Sequence, residues 1–352
     1  MSQLQPLERE SEMSKLSTEF VNIRVPKSMA EALMDAEDDV TTVSIVKPTA
    51  PPPPKKSLPP IKVGKIKWVE PEWAPDLHYA LTAPKHHKLG GAMLFGPRGT
   101  GKSMAVEQIS ARLKLKSVGL GCCKGMMYND LVGTFDFDEK TRFVDGPLTE
   151  AVRNDCIFYA EEANNIPPGQ WALLNPLLDG SGLPLVLPNG ERLKVGPNFK
   201  TVLCYNPDYA GTMEINESLK DRLYGIDTVY MEPDDERDAL MANVPELSCD
   251  IATGMIAIAN GIRAAAAEFG FDLSIRSLMQ WANVCFSDIT QYSWEKGFKK
   301  VICGKMGTAQ ENGEVHRAVA AIAESMGYQQ WESPQESNVL LKADDEESDT
   351  PS

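Results

Sequence analysis

The residues with the plainest chemical purpose stand together at Gly96-Pro97-Arg98-Gly99-Thr100-Gly101-Lys102-Ser103, which meets the spacing G-x-x-x-x-G-K-[ST] at every fixed position. Glycine at those points lets the main chain turn its N–H groups inward around one anion. Lys102 would then face β- and γ-phosphate oxygens, and the Ser103 hydroxyl would ligate Mg2+. The chemistry needs a strand before the loop and a helix after it, because the helix N-terminus adds its partial positive charge. Residues 92–95 (AMLF) are a short apolar run of buried-strand type, and residues 104–113 have helical character. The stretch from Gly96 through Met104 is therefore the expected cradle for ATP with Mg2+.

A second pair of chemical groups closes the run Cys156-Ile157-Phe158-Tyr159-Ala160-Glu161-Glu162, an apolar strand ending in two carboxylates. The first carboxylate, Glu161, is placed to serve the Mg2+ shell, and the second, Glu162, to orient and polarise an attacking water. Aspartate is usual at the first place; glutamate is one methylene longer and moves the metal ligand. A third strand, residues 201–205, ends in Asn206-Pro207, and an amide there can reach a γ-phosphate or the water.

Stepping outward from these groups, short apolar runs alternate with helical stretches between residues 61 and 232 (AMLF, VEQISARL, CIFYA, ALLNPLL, TVLCY). That alternation predicts an α/β fold with a mainly parallel sheet covered on both faces. Residues 233–333 read as helix alone. Apolar faces recur at Ile251, Met255, Ala259, Ile262, Ala266 and Phe269, then at Leu278, Trp281 and Cys285, then at Val315, Val319, Ile322 and Met326. Residues 1–60 read as a tail, with seven prolines between Pro48 and Pro60, a strand-like FVNIRV and a short helix over residues 28–36. Residues 334–352 read as an acidic disordered tail.

The whole chain has 352 residues, 42% hydrophobic, with 35 basic and 50 acidic side chains, a net charge of −15. Such an acidic surface repels phosphate backbones and anionic lipids, which disfavours nucleic acid and membrane surfaces as partners. No apolar run reaches the roughly 18 residues of a membrane span, and the first residues (MSQLQPLERESEMSK) are charged where a signal peptide needs an apolar stretch. The seven cysteines have no metal-ligand spacing and suit free thiols in a reducing, cytoplasmic compartment. Cys122-Cys123 reads as core filler, His86-His87 as a solvated turn, and Met126, Met127, Tyr128, Phe135 and Phe137 as core more readily than as a client-gripping pore.

In this order the motifs resemble the AAA+ ATPases of the MoxR type, most of all the CbbQ/NorQ group. The resemblance runs over roughly residues 71–327. It is carried by GPRGTGKS, NDLVGTFDFDEKTRFVDGPLTEAVRND, IFYAEEANNIPPGQWALLNPLLDG, VLCYNPDYAGTMEINESLKDRL and LSIRSL. It implies a P-loop core with strand order 5-1-4-3-2 and a small helical lid. It also implies a hairpin inserted in helix 2 over residues 135–147 and a pre-sensor hairpin over residues 185–195, where Asn189-Gly190 is itself a two-residue turn signal. By the same resemblance Asn206 is sensor 1, Arg222 the arginine finger that reaches a neighbouring subunit, and Arg276 sensor 2 on the lid. The sequence departs from the family pattern at Glu161 and at Asn165, where arginine is common. The function implied is ATP hydrolysis to ADP and phosphate by a ring, usually a hexamer, that remodels or activates a partner complex through a protein with a von Willebrand factor A domain. The alternatives are a nucleotide-binding scaffold or switch with little turnover, and a nucleic-acid-linked motor.

Overall fold

A computed structural model describes residues 20–22, 44–46, 67–84, 89–136, 142–207, 211–265, 271, 273–307 and 312–331. The chain divides into two compact units, residues 1–58 and 59–352. In the first, strands β1 (Phe20–Asn22) and β2 (Ser44–Val46) form an antiparallel pair, the former inside the expected FVNIRV strand. The helix expected over 28–36, the proline run, His86-His87, Phe137, Ala266, Phe269 and the acidic end lie outside the described residues.

In the second unit, β3 (Gly91–Phe95), β4 (Ser117–Gly121), β7 (Ile157–Glu161), β10 (Lys200–Tyr205) and β11 (Tyr224–Asp227) make one parallel sheet. Its order is β11-β3-β10-β7-β4, which is 5-1-4-3-2 when its strands are counted along the chain. Alternate residues of the central strands feed two apolar cores, because successive side chains point to opposite faces. Met93, Phe158 and Leu203 enter a core with Leu148, Trp171 and Leu174. Leu94, Ile157 and Val202 enter another with residues of α1 (Ala74–Thr82) and α2 (Lys102–Arg112), among them Leu77, Val106 and Ile109.

Two antiparallel hairpins interrupt this scaffold. The first, β5 (Gly133–Asp136) with β6 (Arg142–Asp145), runs into α3 (Pro147–Arg153). The second pairs β8 (Leu185–Val186) with β9 (Arg192–Leu193). Its turn corrects the two-residue reading of Asn189-Gly190: the Gly190 N–H donates to the Leu187 carbonyl, making Pro188 and Asn189 the central residues. Proline presets the backbone for that first central position, and Gly190 takes the left-handed conformation next in line (φ 85°). The aromatic and sulfur side chains also depart from a uniform core reading. Cys122 is buried but Cys123 is exposed, and Met127 and Phe135 are exposed, Phe135 packing edge-on against Phe143.

The helical part comprises α4 (Pro233–Asn243), α5 (Cys249–Ala264), α6 (Ile275–Phe286), α7 (Trp294–Val301) and α8 (Gly313–Ser325). They close on Trp281, Trp294, Phe298 and Tyr328, all buried. The Trp281 ring meets Phe298 edge-on at 5.1 Å, a favoured arrangement of ring quadrupoles. Met326 lies beyond the end of α8 and is exposed, so the expected apolar face stops one turn earlier. Among the described residues no helix is long and apolar enough to cross a membrane.

Candidate functional site

The loop from Gly96 to Gly101 leaves the end of β3 and enters α2 as the spacing requires. Gly101 caps that helix with φ 85°, a left-handed geometry in which a side chain is strained. The Lys102 ammonium lies within the loop's curve, donating to the Gly96 carbonyl (2.9 Å) and the Pro97 carbonyl (2.6 Å). Thr100 is buried, and its hydroxyl meets that of Thr228 (3.2 Å) just beyond β11, which anchors the loop to the edge strand. Gly96, Pro97 and Thr100 thus shape the loop, whereas Arg98, Gly99, Gly101, Lys102, Ser103 and Met104 line a cavity of about 510 Å3.

The parallel register brings the other strand ends to the same place. Cys204 pairs with Glu161 on one side and Leu94 on the other, and Tyr205 with Phe95. Glu161, Glu162 and Asn206 therefore open into the cavity beside Lys102, where ligands of open α/β sheets bind. Glu162 is itself left-handed (φ 52°), so the chain turns sharply as it leaves β7. Asn165 Nδ2 donates to the Glu162 carboxylate (3.0 Å) and to the Cys122 carbonyl (3.3 Å), while Asn164 Nδ2 donates to the Asn206 carbonyl (2.8 Å). Side-chain amides thus lace the tip of β7 to those of β4 and β10. Beneath them burial pushes the Cys204 thiol up to about 12, against a smaller opposing pull from Lys102.

The lid closes the cavity from above with Ile275, Arg276 and Met279 of α6 and Ala239 and Asn243 of α4. Lys305 braces α6, donating to Ser277 Oγ (2.6 Å) and Gln280 Oε1 (2.7 Å). Burial, and then the neighbouring Arg276, hold its ammonium below the ordinary lysine range. Arg222 stands apart from the cavity, its guanidinium donating to the Ser218 carbonyl (2.5 Å) and lying 3.8 Å from the Asp179 carboxylate.

Sequence reasoning missed the wall formed by Lys67, Trp68 and Val69. The Lys67 N–H donates to Asn243 Oδ1 (2.8 Å) and Asn243 Nδ2 returns a bond to the Lys67 carbonyl (2.9 Å). These partners are 176 residues apart, and neither carries a local pattern that marks it.

Comparison with known proteins agrees with this geometry. The profile of the AAA domain (dynein-related subfamily) matches residues 91–223. "Protein CbbQ" of Hydrogenophilus thermoluteolus is 32% identical over 187 residues, 53% of this chain and 64% of that protein. "Protein NorQ" of Paracoccus denitrificans is 30% identical over 173 residues, 49% and 64%. "Denitrification regulatory protein NirQ" of Stutzerimonas stutzeri is 29% identical over 173 residues, 49% and 62%. The chain thus spans less than two thirds of the length of these relatives. With the motif order, the 5-1-4-3-2 sheet and these relatives in agreement, the chain carries an AAA domain of the dynein-related subfamily at residues 91–223, on an α/β P-loop fold, and is similar to CbbQ, NorQ and NirQ.

Proposed function

We propose that this protein is a ring ATPase of the cytoplasm that hydrolyses ATP to ADP and phosphate and uses the lid movement to remodel or activate a partner protein complex. The observation that carries the reading is the convergence of Lys102, Ser103, Glu161, Glu162, Asn206 and Arg276 on one cavity from four separate segments. In it Lys102 and the loop N–H groups hold the phosphates, and Arg276 approaches them from the lid with a planar fork suited to their oxygens. Glu162 accepts a proton from the attacking water and Asn206 aligns that water. Ser103 and Glu161 both present oxygen to the cavity, a donor set that suits a hard cation keeping most of its water. Mg2+ held there would neutralise charge on the phosphates.

Arg222 lies outside its own cavity, which supports a finger supplied to a neighbouring copy and hence a homo-oligomeric ring, a hexamer on the family pattern. The likeness to CbbQ, NorQ and NirQ supports an activating role, NirQ being named for regulation of denitrification, and the resemblance of the motifs implies a partner with a von Willebrand factor A domain. A slow nucleotide switch is the second reading, favoured by the Asn165 bond that ties up the Glu162 carboxylate. Phosphate release from purified protein separates the two. Lys102→Ala is expected to abolish ATP binding, and Glu162→Gln to retain binding while lowering turnover at least about 100-fold. Equal turnover by Glu162→Gln and wild type would remove Glu162 from the chemistry.

A further inference from the structure

The lid also meets the phosphate loop away from the cavity. Tyr230 lies in the connection between β11 and α4, and its hydroxyl donates to the Arg98 carbonyl at 3.0 Å, holding the loop by its main chain. Over the Tyr230 ring lies the Arg263 guanidinium of α5, its carbon 3.8 Å from the ring centroid. That guanidinium is only 9% exposed, and both its arms reach the Glu236 carboxylate of α4, itself 2% exposed, at 2.7 Å each. Its Nε donates to the Leu273 carbonyl at 2.8 Å. Leu273 immediately precedes Ser274, from which α6 and Arg276 depart. Ser274 in turn packs so tightly on the loop that a Cβ added to Gly99 would come within 2.2 Å of its own.

One buried cation therefore joins α4, α5 and the start of α6, and rests them on the ring whose hydroxyl holds the loop. A bidentate pair of this kind adds little net stability over a well-packed apolar replacement. What it supplies is direction, since the planar fork fixes its partners' orientation and the stacked ring fixes the fork. The Tyr230 side chain touches the loop through its hydroxyl and the cation through its ring.

We propose that Tyr230 is a positioning residue that registers the lid against the phosphate loop and thereby sets where Arg276 stands in the cavity. The proposal rests on the reading of that cavity as an ATP site with Arg276 facing the phosphates. Loop geometry passes through the Arg98 carbonyl to Tyr230, from there to Arg263, and through the Leu273 carbonyl to the helix that bears Arg276.

The test is a double-mutant cycle on the full chain, read as the Kd of a fluorescent ATP analogue, which stays measurable when turnover is lost. Tyr230→Phe keeps the ring beneath Arg263 and removes only the hydroxyl, so it is expected to fold as wild type and weaken binding about 2–10-fold, the worth of one hydrogen bond. Tyr230→Leu, which also removes the ring, is expected to lose more. In an Arg276→Ala background both substitutions are expected to have no further effect, because the residue they act through is gone. Equal losses in the two backgrounds, or no loss in either, overturn the proposal while leaving the ATP site intact. Wild-type affinity in Arg276→Ala alone overturns the phosphate role of Arg276 and this proposal with it. Failure of the wild-type protein to bind the analogue overturns the nucleotide reading itself.

Discussion

In the α/β half, cavity residues stand at strand ends held by main-chain ladders: Glu161 beside Cys204, Tyr205 beside Phe95, each position set by register. In the helical half, Arg276 and Met279 stand on one side of α6 while Trp281 and Cys285 on the same helix are buried among aromatic rings. A ladder admits only whole-residue slips, and a slip of one residue reverses every side chain. A helix fixed by side-chain packing can rotate or slide as its neighbours repack. The contrast teaches a division of labour in which the sheet fixes the chemistry and the lid is the part free to respond to it.

The largest expected effect is at Arg222. Arg222→Ala is expected to bind ATP almost normally and hydrolyse it about 10³–10⁵-fold more slowly, the usual worth of a finger supplied in trans. Mixing it with Lys102→Ala, which keeps the finger, should restore activity in a manner that rises with protein concentration. If mixed rings form and remain inactive, Arg222 does not serve a neighbour. The next effect is one of stability. Trp281→Ala empties the aromatic centre of the lid and is expected to cost about 3–5 kcal/mol, with the near-ultraviolet signal of the lid lost before the sheet melts. One cooperative transition shifted as a whole would break the contrast between the halves.

A smaller effect is expected where the halves touch. Gly99 has φ 79° and faces Ser274, so Gly99→Ala combines backbone strain of about 1–3 kcal/mol with a collision against the lid. Ser274→Gly in the same protein should relieve the collision and not the strain, recovering part of the lost nucleotide affinity. Full recovery would mean that the loop tolerates a side chain there. The smallest is at Asn165: Asn165→Ala frees the Glu162 carboxylate and is expected to raise basal turnover a few-fold, about the worth of one solvent-exposed hydrogen bond. Reduced turnover would show instead that the amide holds Glu162 in its working position.

Legibility followed the range of the forces involved. The phosphate loop is marked by eight consecutive residues, and the acidic strand by an apolar run and its carboxylates, because each is a local solution to a local constraint. Periodicity alone reaches a parallel sheet; its order came through the resemblance, since pairing is decided between strands far apart in the chain. The Lys67–Asn243 clamp and the Tyr230–Arg98 bond join residues 176 and 132 positions apart, and nothing near either end marks it. Met127 and Phe135 mislead for a related reason: an apolar side chain on a projecting hairpin or its flank has the same composition as one in a core.

The placement of the tryptophans gives the molecule an optical consequence. Trp281 and Trp331 stack at 5.7 Å with their planes 28° apart, and Trp294 stands almost perpendicular to Trp331 at the same separation. Indoles so close couple their electronic transitions, so the lid carries its own exciton band in circular dichroism. Trp68, beneath the Arg112 guanidinium at 4.8 Å, forms part of the cavity wall, so its indole is a second reporter outside the coupled group. Without any added dye, the chain thus holds coupled indoles in its helical part and a separate indole in the cavity wall.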